Sequence, residues 1–129
     1  MQKAGEKVRD IQFFSKKNNS LIMVHSEEAK AYTRYLEEME DVVAYQTSVP
    51  WLEEKLKQIQ KVDIRTDFFE QSWTTDFYLT YVNGSRGIRE VIKASLLEKR
   101  AAVEKLELSR RYWASFGIAD WKIVVMEGR

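Results

Sequence analysis

The chain has 129 residues, 44% of them hydrophobic, which suits one domain with a modest core. Lys plus Arg number 21 against 20 Asp plus Glu, a net charge of +1, so no overall basic excess announces nucleic acid, although a local patch on a neutral protein stays open. Cysteine is absent, which excludes disulfides and thiolate metal sites, and the single histidine, His25, argues against a histidine-rich metal centre.

Any metal would therefore rest on carboxylate and carbonyl oxygens, which favours Mg²⁺, Mn²⁺ or Ca²⁺. No apolar run approaches the roughly 18 residues of a membrane span. The polar start, Met1 to Lys7, lacks the apolar core of a signal peptide. The expectation is a cytoplasmic protein without a membrane partner.

Residues 1–11 read as a flexible N-terminal extension of the single domain, and up to residue 20 only Ile11, Phe13 and Phe14 break the polarity. Lys16 to Asn19 read as a turn, and Leu21 to Val24 as a short strand. Ser26 is a good helix N-cap, with Glu27 and Glu28 suited to the positive end of the dipole. Ala29, Tyr32, Leu36 and Met39 then recur at helical spacing, and the helix should stop near Asp41.

Val42 to Tyr45 reads as a strand and Pro50 as a break. Residues 51–60 suit either a short helix or a strand and loop. Val62 to Phe69, with Ile64 and Phe68, suggests another strand. Thr74 to Val82 has strong β propensity, with Asp76 and Tyr78 on one face and Phe77 and Leu79 on the other. Asn83-Gly84 opens a turn, and Ile88 to Lys93 returns as the second strand of a hairpin.

Ser95 is a candidate cap for a long helix running to about Phe116, with Leu96, Val103, Leu106 and Trp113 as its apolar stripe and Gly117 as its stop. Trp121 to Met126 looks like a buried closing strand. The order predicts an α/β fold with a central mixed sheet flanked by helices.

No glycine-rich phosphate loop, nucleophile elbow or zinc spacing is present. The chemistry that remains is a set of carboxylates and one lysine around the hairpin. Asp76 lies among apolar and aromatic strand neighbours, where an unpartnered carboxylate is costly, and so calls for a donor, a cation or a metal. Lys93 ends the return strand. A carboxylate and a lysine on adjacent hairpin strands can hold Mg²⁺, a water and a phosphate together.

Thr75-Asp76-Phe77, the Asn83-Gly84 turn and Arg89-Glu90-Val91-Ile92-Lys93 resemble the Pro-Asp…(Asp/Glu)-x-Lys nuclease core. The run from Glu104 to Trp113, then Phe116-Gly117-Ile118 and Asp120-Trp121-Lys122-Ile123-Val124, is more specific. It is similar to the end of the N-terminal nuclease domain of TnsA-like transposon endonucleases. Upstream, Ser26-Glu27-Glu28, Leu36-Glu37-Glu38, Val42 to Gln46 and Val49-Pro50 resemble that family's first helix and following strand. The resemblance spans roughly residues 12–127. A counterpart of the additional C-terminal domain of some members is not expected here.

The resemblance implies a restriction-endonuclease-like core and a Mg²⁺- or Mn²⁺-dependent endonuclease subunit that cuts DNA at a transposon end. It implies DNA and a partner transposase as partners, and a homodimer is a further expectation. Asp76 matches the metal-binding Asp and Lys93 the catalytic Lys. The helical metal-binding Glu is Glu28, with Glu27 the other register. The third position, two before the Lys, is Val91, a departure from the acidic or amide residue there. Glu90 faces the other way by alternation and reaches the site only if a bulge near Ile92 shifts the strand. Thr75 replaces the usual Pro, a milder departure because the Pro is not a ligand.

Each residue has a plainer reading. Asp76 and Lys93 can be ordinary strand-end residues, Glu28 a helix-start residue, and Glu90 a partner of Arg89. Tyr112, Trp113 and Trp121 read as core, Arg110 and Arg111 as partners of a nearby Glu, and His25 as structural or solvated. Lys16, Lys17, Lys55, Lys57 and Lys61 are candidates for following a DNA backbone. Beside the nuclease stands a second reading, a nuclease fold that has lost catalysis and acts as a DNA-binding or assembly subunit, favoured by Val91. A structure-specific repair nuclease with the same core is a third.

Overall fold

The computed structural model describes residues 10–127, so most of the expected N-terminal extension lies outside the described residues. Strands β1 (Ile11–Ser15) and β2 (Ser20–Val24) form an antiparallel hairpin. Helix α1 (Glu27–Glu38) and strand β3 (Val42–Pro50) follow, then the short helix α2 (Glu53–Lys57) and a 3-10 turn at Thr66–Glu70. Strands β4 (Thr74–Tyr81) and β5 (Arg86–Lys93) form the predicted hairpin. A 3-10 turn at Ala94–Glu98, helix α3 (Arg100–Ala114) and strand β6 (Trp121–Met126) complete the chain.

The main sheet has the order β3-β4-β5-β6, antiparallel except for the β5–β6 pair, which is parallel. Helix α3 is the crossover between those parallel strands. This is the mixed α/β, restriction-endonuclease-like architecture that the sequence predicts.

Each face of the sheet is covered by its own apolar layer. On one side α1 and the hairpin pack Ala29, Tyr32, Leu36 and Val24 against Tyr45, Phe77 and Leu79. On the other, Leu108, Tyr112 and Trp113 of α3 pack with Trp51, Leu56, Phe68, Phe69 and Ile88. Ser26 caps α1 as expected, its hydroxyl accepting from the Ala29 N–H at 3.0 Å. The helix ends at Glu38, three residues before Asp41, and Met39 of the expected stripe is exposed. Glu37 binds the hairpin to this layer, accepting from Ser15 Oγ at 2.6 Å, from the Lys17 N–H at 3.0 Å and from the Tyr45 hydroxyl.

Four expectations need correction. Ile11, Phe13 and Phe14, the apolar residues of an otherwise polar stretch in which no strand is expected, belong to a strand, β1. Residues 62–69 are not a strand: the chain winds through a turn, Ile64 N–H to Lys61 O, and then the 3-10 turn. Ile64, Phe68 and Phe69 are buried there at a spacing that fits a coil around the core rather than alternation, and Glu104 takes up the Arg65 N–H at 2.8 Å.

Helix α3 begins at Arg100, not Ser95, which falls in the 3-10 turn, so Leu96 and Val103 stay 40% and 48% exposed. Polar Glu104 and Ser109 occupy the buried stripe instead, beside Leu108, Tyr112 and Trp113. Finally, β6 is an edge strand whose Ile123 and Val125 are exposed, not a buried closing strand. Val124, like Val91, packs against the α1-side layer, while Ile123 and Val125 remain uncovered.

The register of β5 on β6 is locked by Asp120. Its carbonyl accepts the Ile88 N–H at 2.8 Å, and its carboxylate takes Arg89 Nη1 at 2.9 Å and the Tyr81 hydroxyl at 2.6 Å. Gly87 lies directly beneath. A Cβ there would stand 2.5 Å from Asp120 Oδ2 and 2.9 Å from the Tyr81 hydroxyl. Gly87→Ala should therefore push this clamp apart and cost about 1–3 kcal/mol in urea unfolding. An unchanged midpoint would show that the clamp yields freely.

Candidate active site at the splayed end of the sheet

Strands β3 and β4 turn over together at one point. Tyr45 and Phe77 pack on the α1 side, yet Val49 and Thr75, four and two residues away, belong to the α3 side. Regular alternation would keep each pair on one face. The register is unbroken, Thr47 facing Phe77 and Val49 facing Thr75, so the turnover falls at Ser48 opposite Asp76. Ser48 has φ +52, a left-handed conformation that costs a non-glycine residue about 1 kcal/mol. Thr47 and Ser48 hydroxyls both donate to Met23 O, at 2.6 and 3.2 Å, which ties the end of β2 to the same point.

Strands β4 and β5 part here. Their last paired residues are Phe77 and Arg89. Beyond them two carboxylates replace the ladder carbonyls. The Val91 N–H donates to Asp76 Oδ2 at 2.8 Å, and the Asp76 N–H donates to Glu90 Oε1 at 3.1 Å. Burial, and then the charge of Glu90, push the Asp76 carboxyl up to about 6, against the pull of Lys105, the Val91 N–H and His25. A half-buried carboxylate with a raised pKa is one that a cation would stabilise.

Glu90 is only 1% exposed. Pairing with β6 runs unshifted through Lys93, so there is no bulge near Ile92, and Glu90 faces α3 as alternation requires. It reaches Asp76 from that side, through the Asp76 backbone. Its Oε2 accepts from Thr75 Oγ1 at 2.8 Å and Ser109 Oγ at 2.5 Å, and Lys105 Nζ stands 3.7 Å from Oε1. The Thr75 hydroxyl in turn accepts both the Trp51 and Trp113 indole N–H groups at 2.7 Å, and Ser109 accepts that of Trp121 at 3.0 Å.

Val91 and Lys93 face the α1 side, and Lys93 Nζ lies 3.9 Å from Glu28 Oε2. The structure thus brings Lys93 together with Glu28, and Asp76 with Val91 and Glu90. His25 pairs with Asp10 at 3.2 Å. Among the described residues no three acidic or histidine side chains converge on one metal position. The carboxylate oxygens of Asp76 and Glu28 are the donor type that Mg²⁺ or Mn²⁺ takes, and such an ion would need waters to complete its shell.

The candidate phosphate-following lysines do not share a face. Lys17 donates to Met39 O and to Val42 O, on the α1 side. Lys55 and Lys61 lie over the Phe116 and Phe69 rings on the other. Arg110 and Arg111 both bind Glu107, at 2.7 and 2.8 Å.

Sequence reasoning gave no role to Thr75, Lys105 or Ser109. One signal was present: Lys105 and Ser109 lie at i−4 and i−3 positions from Ser109 and Tyr112, on the stripe that carries Trp113. Polar groups on an apolar helix face must have partners.

A family model described as TnsA-like endonuclease N terminal matches residues 39–126. No curated protein matches the chain.

The raised Asp76 pKa has a signed consequence. An acid lifted from 3.8 to about 6 contributes stability that is complete below pH 3.8 and is lost as pH rises through about 6. Asp76→Asn keeps an acceptor for the Val91 N–H but cannot titrate. The stability of the wild type relative to this variant should fall between about pH 4 and pH 6 in urea unfolding. A flat difference would mean that Asp76 titrates as in the unfolded chain.

Proposed function

Because the chain belongs to the family of TnsA-like endonuclease N-terminal domains, we propose that it is a metal-dependent DNA endonuclease subunit of a transposition system. The observation that carries this reading is the placement of Asp76 where β4 and β5 part, with the Glu28–Lys93 pair on the same side as Val91. Membership of this family supports a transposition-related nuclease role.

Asp76 and Glu28 would hold Mg²⁺ or Mn²⁺. Such an ion polarises the scissile phosphate and lowers the pKa of a water. Asp76 is kept in place by the Val91 N–H at one oxygen, which leaves the other for the site. Lys93 supplies the positive charge that steadies the developing negative charge on phosphorus oxygens, and Glu28 orients its ammonium. Water adds to phosphorus, the bond to the 3′ oxygen breaks, and the products are a 5′ phosphate and a 3′ hydroxyl. Glu90, expected among the catalytic residues, acts from beneath the site by bonding the Asp76 N–H. Base sequence is read by the partner transposase, which cuts the other strand.

One observation favours a second reading. Val91 puts an aliphatic side chain on the face where the family places a third ligand, and no third carboxylate converges there among the described residues. A non-catalytic DNA-binding or assembly subunit would have this arrangement.

Nicking of supercoiled plasmid in Mg²⁺ or Mn²⁺, alone and with the partner transposase, separates the two. The wild type should nick, Lys93→Ala should lose about 100-fold or more, and Asp76→Ala should be inactive. If the folded wild type leaves the plasmid intact beside an active partner, the assembly role is the correct one.

A further inference from the structure

We infer that Lys105 is a positioning residue for Asp76, acting from α3 through Glu90. The inference rests on the reading of Asp76 as a metal-binding residue, but its geometry does not.

Where β4 and β5 part, the backbone of Asp76 has lost its ladder partner. Its N–H is bonded by Glu90 Oε1 at 3.1 Å, so the location of Asp76 depends on where the Glu90 carboxylate stands. Thr75 and Ser109 hydroxyls fix one oxygen of that carboxylate. The other oxygen, the one that meets Asp76, has Lys105 as its cation at 3.7 Å.

Lys105 is itself held. Its ammonium is 3.5 Å from Thr74 O and lies 5.7 and 5.9 Å from the faces of Trp51 and Trp73. Indole faces attract a cation at these distances. The side chain is 24% exposed, so the ammonium keeps contact with water while it lies over the rings.

Two carboxylates meet at this point, and one backbone N–H lies between Glu90 and Asp76. Without Lys105 the buried Glu90 charge loses its cation, and the repulsion between the two acids is no longer offset. The carboxylates would separate, and the Asp76 N–H would lose its acceptor. Lys105 does not touch the reacting atoms. It sets the position of a residue that does.

Amide proton shifts and Mn²⁺ affinity test this in Lys105→Met, Lys105→Arg, Glu90→Gln and the double variant Glu90→Gln/Lys105→Met. Lys105→Met should move the Asp76 and Val91 amide resonances and weaken Mn²⁺ binding about 10–100-fold, the usual effect of losing a supporting partner. Lys105→Arg should restore both. In the Glu90→Gln background Lys105→Met should move neither, because the route is already cut. The neutral double variant removes the buried Glu90 charge together with its cation and so should fold even if Lys105→Met does not.

Unmoved Asp76 and Val91 amides in Lys105→Met would overturn the proposal. So would shifts in the Glu90→Gln background as large as those in the wild type. A wild type that binds no Mn²⁺, but whose Asp76 amide responds to Lys105→Met, refutes the metal-site reading and leaves the positioning role standing.

Discussion

Glu90 carries a negative charge into the layer between β5 and α3, and its two oxygens collect hydrogen bonds from the neighbouring strand β4 and from the helix. An unpaired carboxylate in such a place would cost several kcal/mol, so the surrounding donors are a condition of the fold. Each hydrogen bond to a charged acceptor contributes about 1.5–3 kcal/mol. Three indoles are oriented by the same network, because the Thr75 and Ser109 hydroxyls that donate to Glu90 accept the N–H groups of Trp51, Trp113 and Trp121. Those indoles form much of the apolar layer on that face. Polar satisfaction and core packing on the α3 side are therefore one constraint.

The same constraint shapes the site on the opposite side. A sheet that paired regularly to its end would give Asp76 an ordinary ladder partner. Here the β3–β4 pair turns over at Ser48 and Asp76, β5 departs from β4 after Arg89, and carboxylates stand in for carbonyls. The left-handed Ser48 and the elevated Asp76 pKa are two costs held at one place, which is characteristic of functional sites.

Thr75 shows how a substitution can change its meaning in three dimensions. In the family pattern its position holds a proline that binds nothing. In this chain its hydroxyl accepts two indoles and donates to Glu90. A proline there could do none of this. Val91 and Glu90 thus lie on opposite faces of the same short stretch of β5.

Much was legible in the sequence because it depends on local periodicity. The Ser26 cap, the α1 stripe, the β4–β5 hairpin at Asn83-Gly84 and the Gly117 stop, with φ +80, follow from neighbours a few residues apart. The quoted motifs likewise pointed to the family. Residues 62–69 and the start of α3 were misread because their form is set by distant partners: Glu104 fixes the turn at Arg65, and the 3-10 turn after β5 delays the helix. The exposure of β6 depends on whether a strand lies beyond it, which no local pattern records. Only the tertiary structure decided that Glu90 meets Asp76 through its backbone, and that Lys105 and Ser109 complete the arrangement. These groups are 14 to 19 residues or more apart in the chain, and hydrogen bonds at that range follow from the packing of α3 on the sheet.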